Sequence, residues 1–146
     1  MPLLQHKTIV VIGAVVDIAM YSGKGAVTAL DLAERFQLPR RHLEPVLQAL
    51  VREGILMGVR GPRGGYRLAK GRRAISVYEI SEAAKTIEAE EPNREFPWLL
   101  GAVVVPTLAQ AEEYFESTLK RLTVDDLVRA ASLQVLASYK PGAIAG

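Results

Sequence analysis

Residues 38–69 read LPRRHLEPVLQALVREGILMGVRGPRGGYRLA. Leu43, Val46, Leu47, Leu50 and Val51 fall at i, i+3, i+4, i+7 and i+8, which is one apolar helical stripe. Arg41, Glu44, Gln48 and Arg52 take the opposite side. Pro39 stands where a helix can start without losing a hydrogen bond, and Gly54 stands where one usually ends. Pro45 disturbs this pattern, because it has no N–H for the fourth carbonyl back. The helix is therefore either kinked or regular only from near His42.

Arg40 and Arg41 put two cations in the first turn, where the helix dipole is already positive. Such an end suits an anion, and phosphate is the obvious one. Two solvated arginines are the plainer alternative for this helix taken alone. Beyond it, Ile55, Leu56, Met57 and Val59 suit a strand. Gly61, Pro62, Gly64 and Gly65 mark a turn, and Tyr66, Arg67 and Leu68 a return strand. Arg60, Arg63, Arg67, Lys70, Arg72 and Arg73 follow with no carboxylate between them. A helix, a tight hairpin and a basic glycine-rich tip describe a winged helix, its arginines suited to a narrow minor groove.

Working outward, residues 2–21 read as a helix apolar on most faces. Ile9, Ile12, Val16 and Met20 keep helical spacing, with Val10, Val11, Ala14, Val15 and Ala19 on other sides. Thr28 with Asp31 is a capping pair for a short second helix that ends near Gln37 and turns Leu32, Ala33 and Phe36 inward. Two short helices joined by the turn 37–39 form a helix-turn-helix. Ser76 with Glu79 reads as a capping box for a fourth helix, with Val77, Ile80, Ala84 and Ile87 as its stripe. Pro92, Pro97 and Pro106 break the stretch 92–106, whose apolar side chains read as core, subunit interface, or the wall of an effector pocket at Phe96 and Trp98. Residues 107–122 form a second strong helix with a seam at Leu108, Ala111, Phe115, Thr118 and Leu122. Thr123 with Asp126 caps a last helix.

The fold class expected is mainly α with a small β-hairpin: a winged helix-turn-helix plus a long C-terminal dimerisation helix. Residues 1–90 would form the DNA-binding domain and 91–146 an apolar connector with dimerisation helices. Charge divides the same way. Residues 1–76 hold 12 basic and 5 acidic side chains, net +7; residues 77–146 hold 6 and 11, net −5. One half is built to meet an anion and the other to avoid one.

Several classes are set aside. With no cysteine, disulfides, thiolate-held clusters and cysteine nucleophiles are excluded. His42 and Glu44, at i and i+2, do not face one another and make no metal pair. Gly61-Pro-Arg-Gly-Gly lacks the Gly-Lys-Ser/Thr ending of a phosphate-binding P-loop. No enzyme, metal or cofactor is expected. The apolar run 9–20 is shorter than the ~20 residues needed to span a bilayer. Asp17 interrupts it and no small-residue cleavage site follows, so a cytoplasmic location without membrane attachment is expected.

These motifs carry a resemblance. The stretch HLEPVLQAL–VREGIL–GVRGPRGGYRLA at 42–69, with Ile75-Ser-Val and Leu122-Thr-Val-Asp-Asp-Leu, resembles the Rrf-two (Rrf2) family of bacterial winged-helix transcription regulators over nearly the whole chain. That group includes the iron–sulfur cluster regulator and the cysteine-metabolism repressor. The resemblance implies a homodimer on a roughly palindromic operator, with double-stranded DNA as partner. It places Arg40, Arg41, His42 and Gln48 in or near the major groove and the wing in the minor groove. The DNA-contacting set expected is Thr28, Arg40, Arg41, His42, Gln48, Arg60, Gly61, Arg63, Gly64, Tyr66 and Arg67. The dimer contact expected is Leu108, Ala111, Phe115, Leu119 and Leu122. Many members hold a cluster on three cysteines, a feature missing from the corresponding region at about 89–106, so a cluster-free repressor is expected. A small-molecule or protein effector is left open. The competing reading is a winged-helix module whose basic wing binds an acidic protein.

Overall fold

The computed structural model describes residues 6–87, 98 and 100–138. Among these residues six α-helices and one hairpin follow in order: α1 (His6–Tyr21), α2 (Ala29–Phe36), α3 (Arg40–Arg52), β1 (Leu56–Val59), β2 (Gly65–Leu68), α4 (Val77–Lys85), α5 (Val105–Arg121) and α6 (Val124–Ser138). This is the expected winged helix-turn-helix followed by a long C-terminal helix.

Each element starts or stops for a local reason. The Thr28 hydroxyl accepts the Asp31 N–H, and the Asp31 carboxylate accepts the Thr28 N–H, both at 3.0 Å. That is a complete capping box for α2. Gln37 closes α2 in the left-handed conformation, turning the chain through Leu38 and Pro39 into α3. Ser76 caps α4 by accepting the Glu79 N–H. The reciprocal half of that expected box does not form, because the Glu79 carboxylate takes the Lys70 ammonium instead. Pro106 sits in the first turn of α5, where its missing N–H costs nothing. The residues before it, Leu100–Val104, form a π-helical turn rather than a loop, so helical structure starts earlier than Pro106 suggested.

Pro45 lies inside α3. A proline in a helix interior costs ~3 kcal/mol or more. Leu43, Leu47 and Leu50 are fully buried, and each contributes about 1.5–3 kcal/mol. Packing therefore outweighs the proline, and α3 runs through it. Val51, expected in the same stripe, is instead exposed at the last turn, and Ala49 is buried.

The core joins Val11, Ala14, Val15 and Ile18 of α1 to Leu32, Leu43, Leu47, Leu50, Ile55, Ile75 and Ile80. On α1 the stripe of Ile9 and Met20 is not the buried one; both lie exposed. A helix apolar on most sides gives periodicity nothing to choose between, and here contact with α4 and α6 does the choosing. Val124 and Val128 of α6 belong to this core as well. Backbone bonds from Val77 N–H to the Leu122 carbonyl (2.9 Å) and from Val124 N–H to the Ile75 carbonyl (3.0 Å) stitch α6 to the start of α4. The domain boundary expected near residue 90 lies outside the described residues.

Asp17, which interrupts the apolar run of α1, is buried against Arg35 of α2. The guanidinium donates to both carboxylate oxygens, at 2.8 and 2.7 Å, and stacks over the Tyr21 ring at 4.2 Å. A buried carboxylate needs such a partner. The pair clamps α2 to α1 and so fixes the pose of the helix-turn-helix. The bond to Asp17 also holds the Arg35 pKa above its ordinary value.

Candidate nucleic-acid interface

The wing grows from the register Leu56↔Leu68, Met57↔Arg67, Gly58↔Tyr66 and Val59↔Gly65. At its tip Gly64 N–H donates to the Gly61 carbonyl at 2.9 Å, with Gly61 at φ 106°, a conformation that favours glycine. Arg60 and Arg63 flank this turn and are exposed.

The hairpin packs on the core through Leu56, Tyr66 and Leu68, and a backbone bridge ties it to the residue before the α2 cap. Val27 and Tyr66 exchange two backbone bonds, at 3.0 and 2.7 Å. Val27 directly precedes the α2 cap, Thr28. Wing and α2 therefore move together, and α2 is held to α1 by the Asp17–Arg35 clamp.

On α3 the side chains of Arg40, Arg41, His42 and Gln48 are exposed, while Leu43, Val46 and Leu47 are buried. The helix presents its polar side outward and anchors itself by the other. No side chain caps its start; the His42 N–H turns back to the Pro39 carbonyl at 2.9 Å, which leaves the N–H groups of Arg40 and Arg41 to face an anion. Arg40 is paired with Glu44 at 3.0 Å. That exposed pair is worth ~1 kcal/mol or less, and a phosphate can replace the carboxylate at little cost.

The distribution of ion pairs is informative. Arg41, Arg60, Arg63 and Arg67 make no ion pair or side-chain hydrogen bond among the described residues. By contrast Arg35, Lys70, Arg72, Arg73, Lys85 and Arg129 each face a carboxylate. Arg72, Arg73 and Arg129 converge on Asp125 of α6, at 3.0, 3.6 and 3.3 Å. The basic run after the wing, uniform in sequence, thus divides into uncommitted arginines around the tip and tethered ones near the hairpin base.

The remaining candidates separate. Thr28 and Tyr66 are half-buried, Thr28 capping α2 and Tyr66 joining the wing to Val27, whereas Gly61 and Gly64 shape the tip. On α5, Ala111 is exposed, Phe115 and Leu122 are half-buried, and Leu119 is buried within the single chain. Leu119 is therefore already committed to its own protomer; the side chain of Leu108 lies outside the described residues. Trp98 is 78% exposed, and Phe96 lies outside the described residues. The reading from sequence passed over the Asp17–Arg35 clamp and Asp125. The signal for the first was present: a lone carboxylate in a buried apolar helix requires a cation nearby.

The family model described as "Iron-dependent Transcriptional regulator", Rrf2, matches residues 4–130. The chain belongs to the Rrf2 family. Over 121 residues it is 29% identical to Protein rrf2 of Nitratidesulfovibrio vulgaris, covering 80% of this chain and 81% of that protein. Over 80 residues it is 36% identical to the HTH-type transcriptional regulator IscR of Erwinia tasmaniensis, covering 55% of this chain and 48% of that one. Among solved structures, T. potens IscR superposes with TM-score 0.72 at 25% identity, covering 98% of this chain and 96% of that one. CymR, the global cysteine regulator of B. subtilis, shares the fold with TM-score 0.67 at 20% identity, over 87% and 96%. Rrf2 proteins are transcription regulators, and this one is a DNA-binding member by family and by fold.

The family description names iron, and the donor set here can be tested against it. The chain has no cysteine and two histidines, His6 and His42. Among the described residues no three His, Cys, Asp or Glu side chains come together as a metal site. A cluster held by thiolates does not fit this Rrf2 chain.

Proposed function

We propose that the protein is a sequence-specific repressor that binds a palindromic operator as a homodimer without an iron–sulfur cluster. The observation that carries this reading is the uncommitted charge of Arg41, Arg60, Arg63 and Arg67 on two elements fastened to one another through Val27 and Tyr66. Cations left without carboxylates release counterions when they meet phosphates. Arg41 and Gln48, exposed on α3, are the base readers, arginine preferring guanine and glutamine adenine. Arg60 and Arg63 enter the flanking minor groove.

A second copy supplies the second half-site. Tyr114 of α5 and Leu133 of α6 are 73% and 66% exposed, and apolar groups so placed favour burial against another chain. Because Leu119 is already buried, the dimer seam is assigned to the face of α5 bearing Ala111, Tyr114 and Thr118.

The test is selection of duplexes from a random pool, followed by titration of the winner and a scrambled duplex at two salt concentrations. A palindromic winner, preferred at least a hundredfold, with affinity falling steeply with salt, is the expected result. Equal, weak binding to both duplexes would overturn it and favour an acidic protein as the partner of the wing.

A further inference from the structure

A groove of about 480 Å³ opens beneath the recognition helix, between α1, the start of α3 and the residues after α4. Its described walls are Val10, Leu38, Pro45, Val46 and Ile87, with Lys7, Arg41 and His42 as its polar groups. We propose that this groove binds a small amphiphilic anion, an aromatic or medium-chain carboxylate, and that its occupancy lowers affinity for DNA.

Three observations lead there. The volume lies within the roughly 300–1,000 Å³ of small-molecule sites, and the walls have the usual composition of such sites, apolar with a few convergent polar groups. Those polar groups are of one kind: Lys7 and Arg41 are cations, His42 is a donor, and no carboxylate lines the groove among the described residues. Lys7 donates to the Ile87 carbonyl at 2.8 Å, which leaves two of its three ammonium protons for a ligand. Arg41 is unpaired among the described residues. Pro45 supplies the third observation. It costs α3 a hydrogen bond, yet it is exposed rather than buried in the core, so packing does not explain it. As a wall of the groove it offers a flat apolar ring, and a local rule broken at a concave surface points to a functional site.

Arg41 and His42 line the groove and also head the recognition helix. An anion seated there engages the Arg41 guanidinium and withdraws it from the base edge it would read in the operator. Ligand and operator then oppose one another. The binding half of the proposal stands on the groove alone; the coupling half rests on the DNA-binding reading above.

The test uses the full chain and a pair of probes with one body: 8-anilinonaphthalene-1-sulfonate, which is anionic, and N-phenyl-1-naphthylamine, which is neutral. Binding is followed by isothermal titration for wild type, Lys7→Gln, and two groove-filling variants, Val10→Trp and Ile87→Trp. Helical content and thermal unfolding identify which filling variant is folded. The expected result is one sulfonate bound per chain, at least tenfold tighter than the amine, several-fold weaker in Lys7→Gln, and lost in a folded filling variant. Operator affinity of wild type, but not of that variant, falls at least threefold with the sulfonate present. No binding, equal binding of both probes, or sulfonate binding that survives filling would each overturn the site. Binding as expected with unchanged operator affinity would overturn the coupling and leave the site standing.

Discussion

Replacing Gly65 with alanine should unfasten the wing from the helix-turn-helix. Gly65 has φ 150°, in a region essentially reserved for glycine. A Cβ there would lie 2.5 Å from the Val27 carbonyl oxygen and 2.7 Å from its carbon. Both are backbone atoms and cannot rotate aside, so the strands must part. Parting opens the two Val27–Tyr66 bonds, each worth about 0.5–1.5 kcal/mol net. Val27 is 3% exposed, so its freed peptide groups find no water, which adds ~1–3 kcal/mol. The expected loss is about 3 kcal/mol. Gly58→Ala is the matched control: it lies in the same hairpin, with nothing within 4 Å of the added carbon, and should change stability by no more than about 0.5 kcal/mol. Urea unfolding at one fixed protein concentration reads both variants as midpoints at constant slope. If the two lie within about 0.5 kcal/mol of each other, the junction does not hold the wing and this reasoning fails.

Other expectations follow from the same geometry. Arg60→Ala and Arg63→Ala should each weaken operator binding by ~1–3 kcal/mol and lower the salt slope by about one phosphate contact; an unchanged titration would remove the tip from the interface. For the clamp, a double-mutant cycle on Asp17→Ala and Arg35→Ala should give a coupling of about 1–3 kcal/mol, between surface and buried pairs because the Arg35 side chain is 32% exposed. Coupling near zero would mean that α2 is posed by packing alone. In acid, the Thr28 N–H, the largest cause, holds the Asp31 pKa below its ordinary 3.8. A carboxyl whose folded pKa is depressed stabilises above its unfolded value and loses that contribution as pH falls through the folded one. The stability gap between wild type and Asp31→Asn should therefore be full at neutral pH and close below about pH 4; a gap independent of pH would contradict the capping role.

The legible parts of the sequence were those where one physical rule acted alone. The stripe Leu43–Val46–Leu47–Leu50 could be buried on only one side, and the glycines of 61–65 could only turn. Thr28 with Asp31 had no competing partner, and the capping box formed as read. Rules in competition were harder to read. Glu79 had two suitors, and Lys70, nine residues away in the chain, took the carboxylate from Ser76. On α1, nearly every face was apolar, so only contact with α4 and α6 could select Val11, Ala14, Val15 and Ile18 over Ile9 and Met20. In the interface, sequence identified the basic residues but not their division. That Arg72 and Arg73 answer to Asp125, while Arg60 and Arg63 meet no carboxylate among the described residues, is a property of the folded chain.

In the proposed complex the wing tip and the start of α3 face one DNA duplex. Because the chain has no cysteine, a single one placed by Pro62→Cys can carry an iron chelate that cleaves DNA where the tip lies, with Glu116→Cys on α5 as the distant control. Cleavage from the tip is expected at two minor-groove positions, symmetric about the centre of the selected duplex, and none from α5. Cleavage absent from the tip, or the same from both tethers, would contradict it.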